Sequence, residues 1–110
     1  MTAAASVPAA ATPARAQGCY DHSVGYETVV YGELHRWPRT GWATTSSYCA
    51  DVNIKANIMT DVKVCFRATG KCNDFKTAYS RSWIQAATNV LDGTKYYLLF
   101  SSYSAGLASA

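Results

Sequence analysis

The most regular alternation of apolar and polar positions begins at Asp51, where Val52, Ile54, Ala56 and Ile58 alternate with Asp51, Asn53, Lys55 and Asn57. A period of two over eight residues is the pattern of a half-buried strand. A second alternation follows, with Val62, Val64, Phe66 and Ala68 on one parity and Asp61, Lys63, Cys65 and Arg67 on the other. After a short turn, Phe75, Thr77 and Tyr79 share one parity and Cys72, Asp74 and Lys76 the other. Setting Cys65 opposite Cys72 places Val64 opposite Asn73 and Val62 opposite Phe75, so the cysteines and the apolar pattern ask for one register. Both sulfurs then fall on the polar face, as a solvent-side clip. An odd loop, Met59-Thr60-Asp61, between the two alternating strands keeps Ile58 opposite Val62.

The remaining chain also reads as strands. Val24 to Tyr31 is a β-branched and aromatic run ended by Gly32. Glu33 to Gly41 reads as an exposed loop or strand edge, because Pro38 lacks a donor and holds Trp37 extended. The Thr and Ser of Trp42 to Cys49 suit a solvent-facing edge strand. Trp83 to Val90 reads as a strand followed by the turn signal Asp92-Gly93 and by Lys95 to Ser102. A three-residue loop there pairs Val90 with Tyr96, Thr88 with Leu98 and Ala86 with Phe100. About seven short strands without a convincing helix predict an all-β fold, an antiparallel two-sheet sandwich or small barrel. A chain of 110 residues has material for one modest core, so residues 17–110 are expected to form one domain.

The first sixteen residues have a different, Ala- and Pro-rich composition and end in Ala14-Arg15-Ala16, the small-x-small pattern of a signal-peptidase site. They lack a basic start, which leaves two readings, a signal-peptide remnant or a disordered arm. Four cysteines follow, Cys19, Cys49, Cys65 and Cys72, and hairpin geometry favours Cys65 with Cys72 and hence Cys19 with Cys49. Two disulfides in a small chain point to export. Zinc is the weaker reading, since there is no C-x-x-C pair and no histidine at ligand spacing, and no metal or cofactor is expected. A net charge of +3 spread along the chain does not resemble a nucleic-acid footprint. No apolar run of about 18 residues predicts a membrane span.

The segments CADVNIK from Cys49, VKVCF from Val62, GKCN from Gly70 and NVLDGTKY from Asn89 together resemble small exported actinobacterial proteins without an assigned activity. The size and two-bridge plan are also similar to secreted inhibitors of the tendamistat type, which block α-amylase with a Trp-Arg-Tyr triplet on a turn. In place of that triplet this chain carries Arg36-Trp37-Pro38-Arg39, and its cysteine spacing differs.

Three candidate sites emerge. The first is His35 to Trp42, where Arg36, Trp37, Arg39 and Trp42 supply residue types enriched at binding hot spots on a proline-stiffened segment. Its competing reading packs Trp37 or Trp42 back onto the sandwich and leaves the arginines solvated. The second is a sugar-binding face drawn from Tyr20, Tyr26, Tyr31, Tyr96, Tyr97 and Tyr103, of which half or more are expected in the core or on ordinary sheet faces. The third is catalytic: Asp21, His22, Glu33 and His35 offer an acid and a base, but no motif sets a nucleophile beside them. The sequence therefore predicts a secreted, disulfide-stabilised binding protein, not an enzyme, acting on an extracellular polysaccharide or protein surface. An inhibitor of an extracellular hydrolase presenting Arg36 to Arg39 is the first alternative, and a small hydrolase using His22 or His35 the second.

Overall fold

Among residues 18–110, which the computed structural model describes, short antiparallel strands build two sheets around a shared core. The expected signal remnant or arm lies outside the described residues. The smaller sheet contains β1 (Val24–Glu27), β5 (Val52–Ala56), β9 (Trp83–Ala87) and β11 (Ala105–Ser109), in the order β1-β11-β5-β9. The larger contains β2 (Val29–Tyr31), β3 (Leu34–Trp37), β4 (Ala43–Thr44), β6 (Thr60–Phe66), β7 (Lys71–Cys72), β8 (Lys76–Ala78) and β10 (Lys95–Phe100). Its main order is β2-β3-β10-β6-β7, with β4 on β10 and β8 on β6. The all-β, two-sheet expectation therefore holds; the described residues form eleven strands in place of about seven, because two expected strands are each divided, as β1/β2 and β7/β8, and because β3 and β11 form where a loop or strand edge and no element were expected. Among the described residues no helix is long and apolar enough to cross a membrane; a helical turn covers residues 18–21.

The alternating residues do face inward. Val52, Ile54 and Ala56 from one sheet meet Val62, Val64, Leu98 and Phe100 from the other, all fully buried. The pairing of those strands differs from expectation. β5 and β6 do not form a hairpin: they lie in different sheets, and Asn57, Ile58 and Met59 carry the exposed connection between them. Likewise Asp92-Gly93 closes no hairpin, since β9 pairs with β5 while β10 pairs with β3, β4 and β6. Two apolar faces can be satisfied side by side in one sheet or across the roughly 10 Å gap between two sheets, and alternation is the same in either case.

The Val24 to Tyr31 run is also divided. Buried Thr28 turns the chain from one sheet to the other, its N–H donating to the Ser104 carbonyl (3.0 Å) while its hydroxyl accepts from the Ser104 N–H (3.0 Å). This exchange satisfies backbone groups where the chain leaves one ladder for the other. In the larger sheet Cys65 does sit opposite Cys72. One step later the register moves: Val62 faces Lys76 rather than Phe75, and Phe75 is exposed. Asn73 accounts for the shift. Its backbone N–H bonds to the Val64 carbonyl (2.9 Å), its Oδ1 accepts from the Val64 N–H (2.7 Å), and its Nδ2 donates to the Ala86 carbonyl on β9 (2.6 Å). Asn73 thus takes over a ladder position and ties the two sheets together, leaving one more residue before β8.

The two disulfides join Cys19 to Cys49 and Cys65 to Cys72. The second is less solvated than a surface clip: Cys72 is exposed, but Cys65, though on the outward parity, is 2% exposed. The first is fully buried at β11. Ser109 Oγ lies 3.4 Å and 3.5 Å from its two sulfurs and donates to the Cys19 carbonyl, while Asn53 Nδ2 donates to the Ser109 carbonyl (3.1 Å).

Candidate functional site

The row Val29, Arg36, Leu99, Lys63 runs across β2, β3, β10 and β6 on the outer face of the larger sheet. The inner parity belongs to Trp37, Leu98 and Val64. Arg36 is 8% exposed, so it is neither the projecting nor the solvated guanidinium that the sequence suggested. Strand β3 holds it between β2 and β10, and its head group turns back under the following loop. There Nη1 donates to the Pro38 carbonyl (2.7 Å) and Nη2 to the Gly41 carbonyl (2.6 Å). Gly41 has φ 69°, the left-handed conformation that glycine adopts without strain.

Aromatic rings cover the guanidinium. Its carbon lies 4.2 Å from the Tyr97 ring centre and 5.6 Å from that of Tyr31. Two rings lean on Tyr97, that of Trp42 at 5.2 Å and that of Tyr31 at 6.3 Å between ring centres, both tilted. Tyr31 and Trp42 remain 50% and 39% exposed, so the cluster has an open aromatic surface. Among the described residues Nε has no hydrogen-bond partner and the two terminal nitrogens go to carbonyls, so none of their carboxylates is hydrogen-bonded to the charge. Two charge-assisted hydrogen bonds and desolvated cation–π contacts, about 2 kcal/mol for a favourable pair, offset the burial of this cation. Further along the same face Lys63 Nζ lies 4.7 Å from the ring centre of exposed Phe75.

Arg36 therefore braces the loop that presents Arg39 and Trp42, both exposed. Replacing Arg36 with Leu is expected to free that loop and lower stability by about 1–2 kcal/mol, through loss of both hydrogen bonds and the stacking. Urea unfolding measures the stability, and amide exchange at residues 39–42 reports the loop. Wild-type exchange in the variant would remove the bracing role.

The four expected loop residues are not presented together. Trp37 points to the opposite side, edge-on to Tyr26 at 6.3 Å, and lines a cleft of about 350 Å³ with His22, Tyr48 and Tyr96. Burial pushes the Tyr96 phenol up to about 12. His22 Nδ1 is bonded to the Gly18 carbonyl (2.8 Å), and Ser46 Oγ to that of Ala110 (2.8 Å), so these polar lining groups are already engaged. His22 also stacks on Tyr48, 3.5 Å between ring centres.

The six tyrosines separate in the same way. Tyr26 and Tyr96 belong to the core, Tyr20 stacks on Trp83 at 4.5 Å, and Tyr103 donates to Glu27 (2.6 Å). That hydrogen bond to a carboxylate raises the Tyr103 phenol above its ordinary range. Burial raises Tyr26, partly countered by its hydrogen bond with Ser104. Only Tyr31 and Tyr97 join the outer cluster. Lys63 and Phe75 were not among the expected site residues. The outward parity of Lys63 was legible, but its place beside Leu99 and Arg36 depends on β10 lying between β3 and β6. Among the described residues no three His, Cys, Asp or Glu side chains are grouped as a metal site. No family model, curated protein or solved structure matches the chain.

Proposed function

We propose that this small disulfide-stabilised all-β protein is secreted and binds a polysaccharide outside the cell through the outer face of the larger sheet, without turnover. The observation that carries the reading is the open cluster of Tyr31, Trp42 and Tyr97 fixed around Arg36. Flat rings on a rigid sheet offer the apolar side of a sugar a stacking surface, and the neighbouring polar groups can hydrogen-bond its hydroxyls. Restrained side chains also lose less entropy on binding. Two disulfides support an oxidising compartment. For catalysis, neither His22 nor His35 shares a side-chain hydrogen bond with an acid or hydroxyl among the described residues.

Retention on a panel of insoluble and gel-embedded polysaccharides tests the reading. The double variant Trp42→Ala/Tyr97→Ala is expected to weaken retention at least about tenfold, since aromatic stacking contributes on the order of 1 kcal/mol per ring. Retention unchanged in that variant would move the site elsewhere. The braced loop favours one second reading, a protein partner such as an extracellular hydrolase contacted by Arg39 and Trp42. Inhibition of such an enzyme that disappears in Arg39→Ala, with glycan retention intact, would select it.

A further inference from the structure

We infer that the polysaccharide is an acidic one, a chain bearing carboxylate or sulfate groups; this rests on the outer face being the glycan site. On the outward parity of the larger sheet the strands carry Arg36, Lys63 and Lys95 against Asp61 alone, while Lys71 and Lys76 pair with Phe66 and Val62 on the other parity; the strands of the smaller sheet carry only Lys55 and Glu27. Asp61 is already engaged, accepting a hydrogen bond from the Thr77 hydroxyl (2.9 Å). The flanking loops are mixed, with Arg39, Arg67 and Arg81 against Glu33, Asp51, Asp74 and Asp92, so the bias belongs to the strands.

Position gives this bias its consequence. Arg36 and Lys63 flank Leu99 in one outward row, two strand spacings or roughly 10 Å apart. No acid interrupts the row. Arg36 lies beneath the rings with its terminal nitrogens on carbonyls and, among the described residues, no bonded carboxylate, so the aromatic surface rests on a net positive charge in a partly desolvated setting, where screening is weak. Lys63, half-buried and held over Phe75, can reach an anionic group directly. A glycan whose sugar faces stack on Tyr31, Trp42 and Tyr97 while its anionic groups meet Lys63 and the field of Arg36 satisfies both features. A neutral glycan uses only the rings and leaves the cationic row without a counterpart.

Affinity electrophoresis of the oxidised full chain tests this with four probes: polygalacturonate, dextran sulfate, neutral dextran and an oligothymidylate. The expected result is retardation by polygalacturonate, dextran sulfate or both, little by dextran, and a loss of at least about tenfold between 50 and 300 mM salt, as expected for exposed ionic contacts. Lys63→Gln should weaken binding by roughly three- to tenfold, the scale of one charge-assisted contact. Lys55→Gln, the same charge change on the smaller sheet, should not. Retardation by both anionic glycans assigns a general acidic-sugar site; one alone identifies which anion it takes. Equal or stronger binding of neutral dextran, or of insoluble neutral glycans, overturns the acidic assignment but leaves the glycan reading standing. Binding of oligothymidylate as tight as that of either glycan overturns it in favour of a generic polyanion surface. Lys63→Gln and Lys55→Gln behaving alike would also overturn it. No retention by any glycan, neutral or acidic, removes both readings.

Discussion

Gly106→Ala is expected to destabilise the protein by at least about 3 kcal/mol, because a single methyl must enter where two backbones already touch. Gly106 lies on β11 between Tyr26 of β1 and Ala56 of β5. A Cβ built there falls deep inside the contact distance of the Lys55 carbonyl oxygen and within 3.1 Å of the Ala56 Cα. Both obstacles are backbone in a central strand, so relief requires moving β5, whose Val52, Ile54 and Ala56 are completely buried. For a domain of this size the cost corresponds to a fall in Tm of roughly 10–20 °C. Gly25→Ala is the matched control. It sits on neighbouring β1, where the nearest atom to an added Cβ is the Gly106 carbonyl oxygen at 4.0 Å, an ordinary contact. It should be neutral or stabilise by about 0.5 kcal/mol, as replacing glycine in a strand commonly does. Urea unfolding of the pair decides the matter: equal stabilities for the two variants would show that β11 and β5 do not approach this closely.

Removing the Cys19–Cys49 bridge by Cys19→Ala/Cys49→Ala should be as severe. The bridge closes a separation of 30 residues, for which constraint of the unfolded chain contributes about 3.7 kcal/mol, against about 2.5 kcal/mol for the seven-residue separation at Cys65–Cys72. The folded state widens the difference. Cys19 and Cys49 are buried, and their sulfurs share an enclosed site with Ser109 and Asn53. Losing them leaves Ser109 Oγ and Asn53 Nδ2 beside a void, and unfilled volume adds to the cost. Domains of this kind have a total stability of about 5–15 kcal/mol, so the double variant should be marginal at 37 °C, while Cys65→Ala/Cys72→Ala folds with a modest loss. Chemical unfolding of both, with near-ultraviolet circular dichroism to report packing, checks the order. A larger loss from the short bridge would contradict the account of the buried one.

How far the sequence carries depends on whether a feature is set by neighbours along the chain or by neighbours in space. Cys65 opposite Cys72 was legible because parity and a short turn leave few alternatives, and the other pair followed by elimination. The inward faces of β5 and β6 were legible too, since alternation belongs to each strand alone. Phe75 fell on the wrong face because one asparagine, by bonding to both sheets, absorbed a residue of register that the alternation could not reveal. β11 was missed altogether. Ala105 to Ser109 has neither alternation nor β-branched residues, and its small side chains make sense only once it lies between β1 and β5.

The candidate site divides along the same line. The sequence named Arg36, Trp37, Arg39 and Trp42 as one loop and Tyr31 and Tyr97 as part of another surface. The fold sent Trp37 inward, buried Arg36, and joined Trp42 to Tyr31 and Tyr97 around it. By itself, then, the sequence determined the all-β class, the bridges and the buried faces of β5, β6 and β10, because these depend on residue type, parity and short loops. Only the tertiary structure decided which strands are neighbours, and with them the aromatic and cationic face, because an apolar row is equally satisfied beside a partner strand or across the sandwich.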